Sequence, residues 1–252
     1  MSFSVHRRAI ALAGSLSVAL LMAPGLRADA SPPKAPESAI AAAKAERAKA
    51  EKALAADPQN QALRARLGEI LCDLGANGDK DAADSAVTIF KGLHKEAPQN
   101  AEFLAEYGNA CTIYAQYASI FTKLSWVHDG FNYMDQAVKD APENVGVHVV
   151  RALNSSQVPA FLDREKIARD DFSWLLLRLR NNPKEFTPDT LRTIYYYDGV
   201  FALKHNEAAA VGLLSQAAAI EPPPGDRLAA RIDTSLKAAR AQFPPVQISQ
   251  AS

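Results

Sequence analysis

Asp57-Pro58-Gln59-Asn60, Ala97-Pro98-Gln99-Asn100 and Ala141-Pro142-Glu143-Asn144 are three statements of one phrase. Each closes an apolar, helix-favouring segment. Proline lacks the N–H that a helix interior needs, and it pushes the preceding residue towards extended geometry. Ten residues past each proline stands a small side chain: Gly68, Gly108 and Ala152. A helix stop at a fixed distance before a close-contact position marks a helical repeat. Pro58 to Pro98 covers 40 positions and Pro98 to Pro142 covers 44.

The segments between the phrases read as pairs of amphipathic helices. Glu37 to Ala56 is rich in Ala, Lys, Glu and Arg and free of Gly and Pro, a strong helix by propensity. Gln61 to Leu74 carries Leu63, Leu67, Ile70, Leu71 and Leu74 on one face. Gly75, Asn77 and Gly78 make a loop, and Ala83 to Lys95 returns with Val87 and Phe90 inward. Ala101 to Leu124 is expected as one long helix whose core stripe is Tyr107, Cys111, Tyr114, Ala118 and Phe121. Trp126 to Gly130 is expected as a loop or helix start, and Phe131 to Lys139 as the return helix. Val145 to Ser155 and Arg164 to Arg180 form the next pair, separated by Val158-Pro159 and closed by Asn181-Asn182-Pro183. Thr187-Pro188 is a capping residue followed by proline at the first helical position, and it opens the last pair. That pair runs over Thr190 to Lys204 and Ala208 to Ile220. Arg227 to Gln242 is a final amphipathic helix that would cap the stack.

The chain has 252 residues, of which 48% are hydrophobic, enough to bury a core and to exclude a disordered chain. Lys and Arg number 28 and so do Asp and Glu, so there is no basic face for a nucleic acid to require. At the N-terminus His6, Arg7 and Arg8 precede an apolar stretch, Ala9 to Ala23, that Pro24 and Gly25 break. Its 15 residues fall short of the roughly 20 that a membrane-spanning helix needs. Ala28-Asp29-Ala30 offers small residues at a cleavage site. Residues 1–30 are therefore expected as an export signal cleaved after Ala30, residues 31–36 as a linker, 37–242 as one helical repeat domain and 243–252 as a flexible tail. The destination is the periplasm or the outside of the cell, with no membrane insertion once the leader is removed. Removal takes Arg7, Arg8, Arg27 and Asp29, and leaves a formal balance of −2.

With Gly68, Ala86, Phe90 and Pro98 in register, the chain resembles the tetratricopeptide repeats (TPR), whose units are helix–turn–helix pairs of about 34 residues. Gly108, Met134, Ala137 and Pro142 follow the same pattern, with Gly130 where that family has Ala. Ala152, Ala168 and Phe172 fit the next unit, and Ala210, Leu214, Ala217 and Pro222 the last. The resemblance covers roughly residues 37 to 224. It implies an all-α solenoid of about four repeats with flanking and capping helices, and a concave face lined by the first helix of each pair. The units here are longer than the family's, and the excess lies in the turns near Ala76–Asp81 and Thr122–Asp129.

Nothing in the sequence carries catalysis. There is no nucleophile elbow, P-loop or dinucleotide fingerprint. The histidines are scattered, so neither a metal site nor a cofactor is expected. Cys72 and Cys111 stand at nearly equivalent positions in successive helices, where neighbouring axes are about 8–10 Å apart, and are expected as buried free thiols. Arg151 is expected to pair with Asp170 or Asp171. Some members of the resembled family grip a carboxylate with Lys and Asn. Asn109 stands at such a position here, but Ala65 and Ala105 replace the lysines. The resemblance therefore implies a scaffold that binds a peptide or protein, with Glu69, Asp73, Asn109, Thr112, Gln116 and Tyr196 as contact residues. A small-molecule or lipid carrier built on Tyr107, Tyr114, Phe121 and Trp126 is the alternative.

Overall fold

The computed structural model describes residues 37–223, 226 and 228–244. The expected leader and cleavage site, the expected 31–36 linker and most of the expected tail lie outside the described residues. Among the described residues, every regular element is helical: α1 (Glu37–Ala56), α2 (Gln61–Ala76), α3 (Lys80–Glu96), α4 (Ala101–Tyr114), α5 (Ile120–Asp140), α6 (Val145–Ser156), α7 (Glu165–Asn181), α8 (Pro188–Lys204), α9 (Ala209–Ala219) and α10 (Ala229–Gln242). They fall into two compact units divided between Glu185 and Phe186. In the first, α1 packs on α2, and α2–α3, α4–α5 and α6–α7 are antiparallel hairpins. Among the forward helices, α4 also touches both α2 and α6. In the second, α8 and α9 form a hairpin and α10 packs on α9.

The proline phrase does two jobs in each of its three copies. Its asparagine caps the next helix: Asn60 Oδ1 accepts from the Leu63 N–H (3.1 Å), Asn100 Oδ1 from Glu102 (3.0 Å) and Asn144 Oδ1 from Gly146 (2.8 Å). Each cap satisfies a donor that the helix itself cannot, a contribution of about 1 kcal/mol. The residue before the proline leaves the helix in nearly one conformation, φ −132°, ψ 70° at Ala97 and φ −138°, ψ 67° at Ala141. Asn182, before Pro183, adopts φ −138°, ψ 64°. Asn182-Pro183 is thus the structural equivalent of the phrase at the end of α7.

The small residues mark where the two helices of a hairpin meet. A Cβ added at Gly68 would stand 2.7 Å from the Phe90 ring. One at Gly130 would stand 2.7 Å from the Gly108 carbonyl oxygen and 2.6 Å from Thr112 Cγ2. Ala152, Phe90, Met134 and Phe172 are buried beside these contacts or in equivalent hairpins. In the second unit Gly199 of α8 meets Leu214 of α9 in the same way.

The long helix expected over Ala101 to Leu124 is two helices. α4 stops at Tyr114, a short 3-10 turn spans Ala115–Tyr117, and Ala118 and Ser119 are extended, with ψ 155° and 157°. Trp126 to Gly130 is helix, inside α5. Phe121 is not core: it is 93% exposed. The cause is the difference in helix length. Gly130 of α5 sits against Gly108 and Thr112, and Trp126 packs edge-on to Tyr114, the last residue of α4. Residues 120–125 therefore run on beyond α4 for about 9 Å, at about 1.5 Å per residue.

Candidate functional site

The forward helices α4 and α6 meet through buried polar side chains. Glu106 Oε2 accepts from Asn109 Nδ2 (3.1 Å), and Asn109 Oδ1 accepts from Asn154 Nδ2 (3.2 Å). Thr112 Oγ1 stands 2.9 Å from Asn154 Oδ1 and 2.7 Å from the Asn109 carbonyl. All four side chains are buried. Buried polar groups need such partners, and the ladder fixes the register of the two helices.

Most of the residues expected to touch a partner are therefore elsewhere than on the surface. Asn109 and Thr112 are spent in the ladder, and Asp73 is 2% exposed. Tyr196 is buried in the second unit, its ring against that of Tyr197 with centroids 5.0 Å apart. In the first unit the reason is that α4 lies against both α2 and α6, so that the polar faces of these helices are covered. Glu69 and Gln116 remain half-exposed. Glu69 pairs with Arg66 (3.2 Å), and Gln116 donates to the Gly75 carbonyl (2.9 Å), across to the end of α2. Tyr117 donates to the same oxygen.

A charged network joins α5, α6 and α7. Asp171 accepts from Arg151 Nε and Nη2, both at 2.8 Å, and faces His148 Nδ1 at 2.7 Å. Arg151 Nη1 also reaches Asp135 (3.3 Å), and Asp135 takes a two-pronged contact from Arg164 (2.8 Å each). His148 Nε2 faces the Pro142 carbonyl at 2.9 Å, and Trp174 stacks on its ring with centroids 3.9 Å apart. Burial pushes the Asp171 carboxyl up, but the Arg151 and His148 contacts outweigh it and hold it below the usual carboxylate range. The sequence suggested the Arg151 pairing; the acid is Asp171, whereas Asp170 pairs with Lys166 on the surface. Asp135, His148 and Arg164 were not legible as partners, because they stand on three different elements. The charges of this network are met within it, so its work is to tie the helices together.

Of the four aromatic side chains offered for a carrier pocket, Phe121 is in solvent and the other three pack against neighbouring rings. Tyr107 stacks on Tyr133 (4.7 Å), and Tyr114 meets Trp126 edge-on (4.8 Å). Cys72 and Cys111 are buried and unbridged. Burial pushes both thiols up, Cys111 to about 12, so neither is a nucleophile at neutral pH. No group of three metal-ligating side chains occurs among the described residues.

No family model matches the chain. No curated protein matches it either. Among solved structures, a thermophilic TPR protein from Thermus thermophilus matches with a TM-score of 0.58 and 17% identity, over 79% of this chain and 93% of that one. At that identity the likeness shows the fold: an all-α stack of TPR-like hairpins.

Proposed function

We propose that the chain is a non-catalytic scaffold that binds a peptide or protein segment in the bacterial cell envelope. The observation that supports this most is the stack of helix hairpins itself, which resembles a TPR protein. Stacked hairpins offer long rigid faces, and binding on them proceeds by surface complementarity. Half-exposed polar side chains near the forward helices include Arg66 and Glu69 on α2 and Gln116 in the turn after α4. The leader motif of residues 1–30 supports export, with cleavage after Ala30.

The test is affinity capture from a periplasmic extract followed by mass spectrometry, run with the natural chain and with a Glu69→Lys, Gln116→Ala variant. A protein recovered with the first and lost with the second supports the reading. Recovery of no protein, together with one stoichiometrically bound lipid, would replace the scaffold with a carrier. Cleavage is read by N-terminal sequencing of the exported protein, with Ser31 as the expected first residue.

A further inference from the structure

The last helix of the second unit, α10, is tied down at both ends. At its start, Asp226 Oδ1 accepts from Arg192 Nη1 of α8 (2.6 Å). Both side chains are nearly closed to solvent, at 4% exposed for Arg192 and 10% for Asp226. The same carboxylate opens the helix: Oδ1 also accepts from the Leu228 N–H (3.1 Å) and Oδ2 from the Ala229 N–H (2.7 Å). At the other end Gln242 Nε2 donates to Asn206 Oδ1 (2.8 Å), in the turn after α8. α10 therefore runs parallel to α8, from its first turns to beyond its last, and it packs on α9 as well. This is the seat of a further forward helix, yet among the described residues no return helix accompanies it.

What holds α10 between its ends is slight. Of its 14 residues, Arg231, Ile232, Leu236 and Ala239 are buried. Ala229, Ala230, Ala238 and Ala241 face solvent. Tyr196 of α8 meets Ser235 through a hydrogen bond and has the Arg231 charge beside it. A buried ion pair such as Arg192–Asp226 returns in attraction little more than it costs in lost hydration. Arg192 Nε, also buried, has no acceptor among the described residues. Docking of α10 thus leans on one carboxylate, and that carboxylate also starts the helix. Where Asp226 lets go, the cap and the anchor are lost together.

Beneath α10, α8 presents Arg192, Tyr196 and Tyr197, residue types that anchor interfaces. Charge around them is mixed. α8 also carries the half-exposed carboxylates Asp189 and Asp198, and α10 carries the Asp233–Lys237 pair on its outer side. Arg192 is the buried cation of the α8 face, and it selects an acid at the start of whatever helix lies there.

We propose that the face under α10 is a further partner-binding face, held closed by α10 itself, and that it takes an amphipathic helix of α10's chemistry from another protein. Such a helix opens on Asp or Glu. It carries apolar side chains six and ten residues later and a small one at thirteen, the spacings of Ile232, Leu236 and Ala239 from Asp226. Its acid replaces Asp226 on Arg192. This extends the scaffold reading to the second unit and rests on it.

The probe is a synthetic peptide with the sequence of residues 226–242, labelled with fluorescein at its C-terminus and followed by anisotropy. The receptor is the full chain, either natural or with Asp226→Ala. Deuterium exchange of the same samples reports which helices open. Asp226→Ala should speed exchange across α10 alone. The opened chain should bind the peptide at least about tenfold more tightly than the natural chain, whose own α10 competes. A peptide carrying Asp226→Ala should bind about tenfold more weakly than the unaltered one, and adding Arg192→Met to the opened chain should weaken the unaltered peptide alike. Asp226→Asn, which keeps a capping side chain and removes the charge, gives a milder opening for the same comparison. Peptide binding that is equal in natural and opened chains, absent from both, or indifferent to Asp226 and Arg192 would overturn the proposal. So would unchanged exchange of α10, or exchange that opens α8 and α9 along with it in both variants, which would make α10 a fixed part of the core. Concentration-dependent dimers of the opened chain that shut the peptide out would overturn it too, with a second copy as the occupant. None of these outcomes bears on Glu69 and Gln116, which the capture experiment tests separately.

Discussion

Gly108→Ala is the sharpest probe of how the hairpins pack. In an open helix the substitution stabilises by about 1 kcal/mol, because alanine loses less conformational freedom than glycine. At Gly108 the new methyl group would land on the Gly130 carbonyl oxygen, with Met134 Cγ at 2.9 Å. Met134 can rotate away, but a backbone carbonyl cannot, so α4 and α5 must part. Overpacking of this kind costs about 1–3 kcal/mol, and a backbone obstacle argues for the upper end. The net expectation is a loss of about 2 kcal/mol after the propensity gain is subtracted. For a unit of this size that lowers Tm by about 4–8 °C. Thermal and urea unfolding followed by circular dichroism at 222 nm would measure it. Gly130→Ala should behave alike, and the double variant should cost less than the two together, because helices already parted admit the second methyl group. Gly212 in α9 provides the opposite sign: nothing lies within 4 Å of an added Cβ, so Gly212→Ala should stabilise the second unit by about 0.5–1 kcal/mol. If Gly108→Ala left Tm unchanged or raised it, the close approach of α4 and α5 would be refuted.

Asp171→Asn should cost about 3 kcal/mol, since it leaves Arg151 partly buried without its main counter-charge. Because the folded-state carboxyl is held below its unfolded value of about 3.9, its stabilising contribution is complete above that value and is lost as pH falls through the folded value. The stability gap between the natural chain and Asp171→Asn should hence be constant from about pH 5 to 8 and narrow below about pH 4, in urea titrations repeated across pH; a gap independent of pH would remove Asp171 from the account. Asn100→Ala should destabilise by about 1 kcal/mol through loss of the α4 cap, read from the same titrations. Thiol titration should detect no reactive cysteine in the folded protein and two after unfolding; a count of zero after unfolding would mean a bridge. Phe121→Ser should change stability by less than about 0.5 kcal/mol, because the ring is in solvent.

Much of the fold was legible in particular residues. Each proline phrase announces a helix end, a signal local to four positions, while the capping of the next helix by its asparagine emerged only from the structure. Leu63 to Leu74 and Thr187-Pro188 were equally local, and the helices stand where those patterns put them. The break between α4 and α5 was not legible. Tyr114, Ala118 and Phe121 continue the helical spacing, and neither Gly nor Pro interrupts it. What decides is tertiary: Ala118 and Ser119 turn the chain so that Trp126 and Gly130 can return along α4. Apolar spacing tells which residues share a face, and only the partner's length tells whether that face is covered. Asn109 and Thr112 failed for a related reason. A polar residue on a forward helix reads as solvent-facing until a second polar residue, 45 positions away in the case of Asn109 and Asn154, is found opposite it.

The proline phrases have a consequence for how such a chain can change length. Each joint ends one helix and starts the next with its own four residues, and its backbone shape is nearly the same at Ala97 and Ala141. A hairpin excised between two like positions, Asn60 and Asn100 for instance, leaves a joint of the same kind behind. Duplication and deletion at these points therefore conserve every cap. The ladder between α4 and α6 works against that freedom, because Asn109 and Asn154 complete each other's hydrogen bonds. The joints make the hairpins interchangeable, while this one pair of neighbours is committed to staying adjacent.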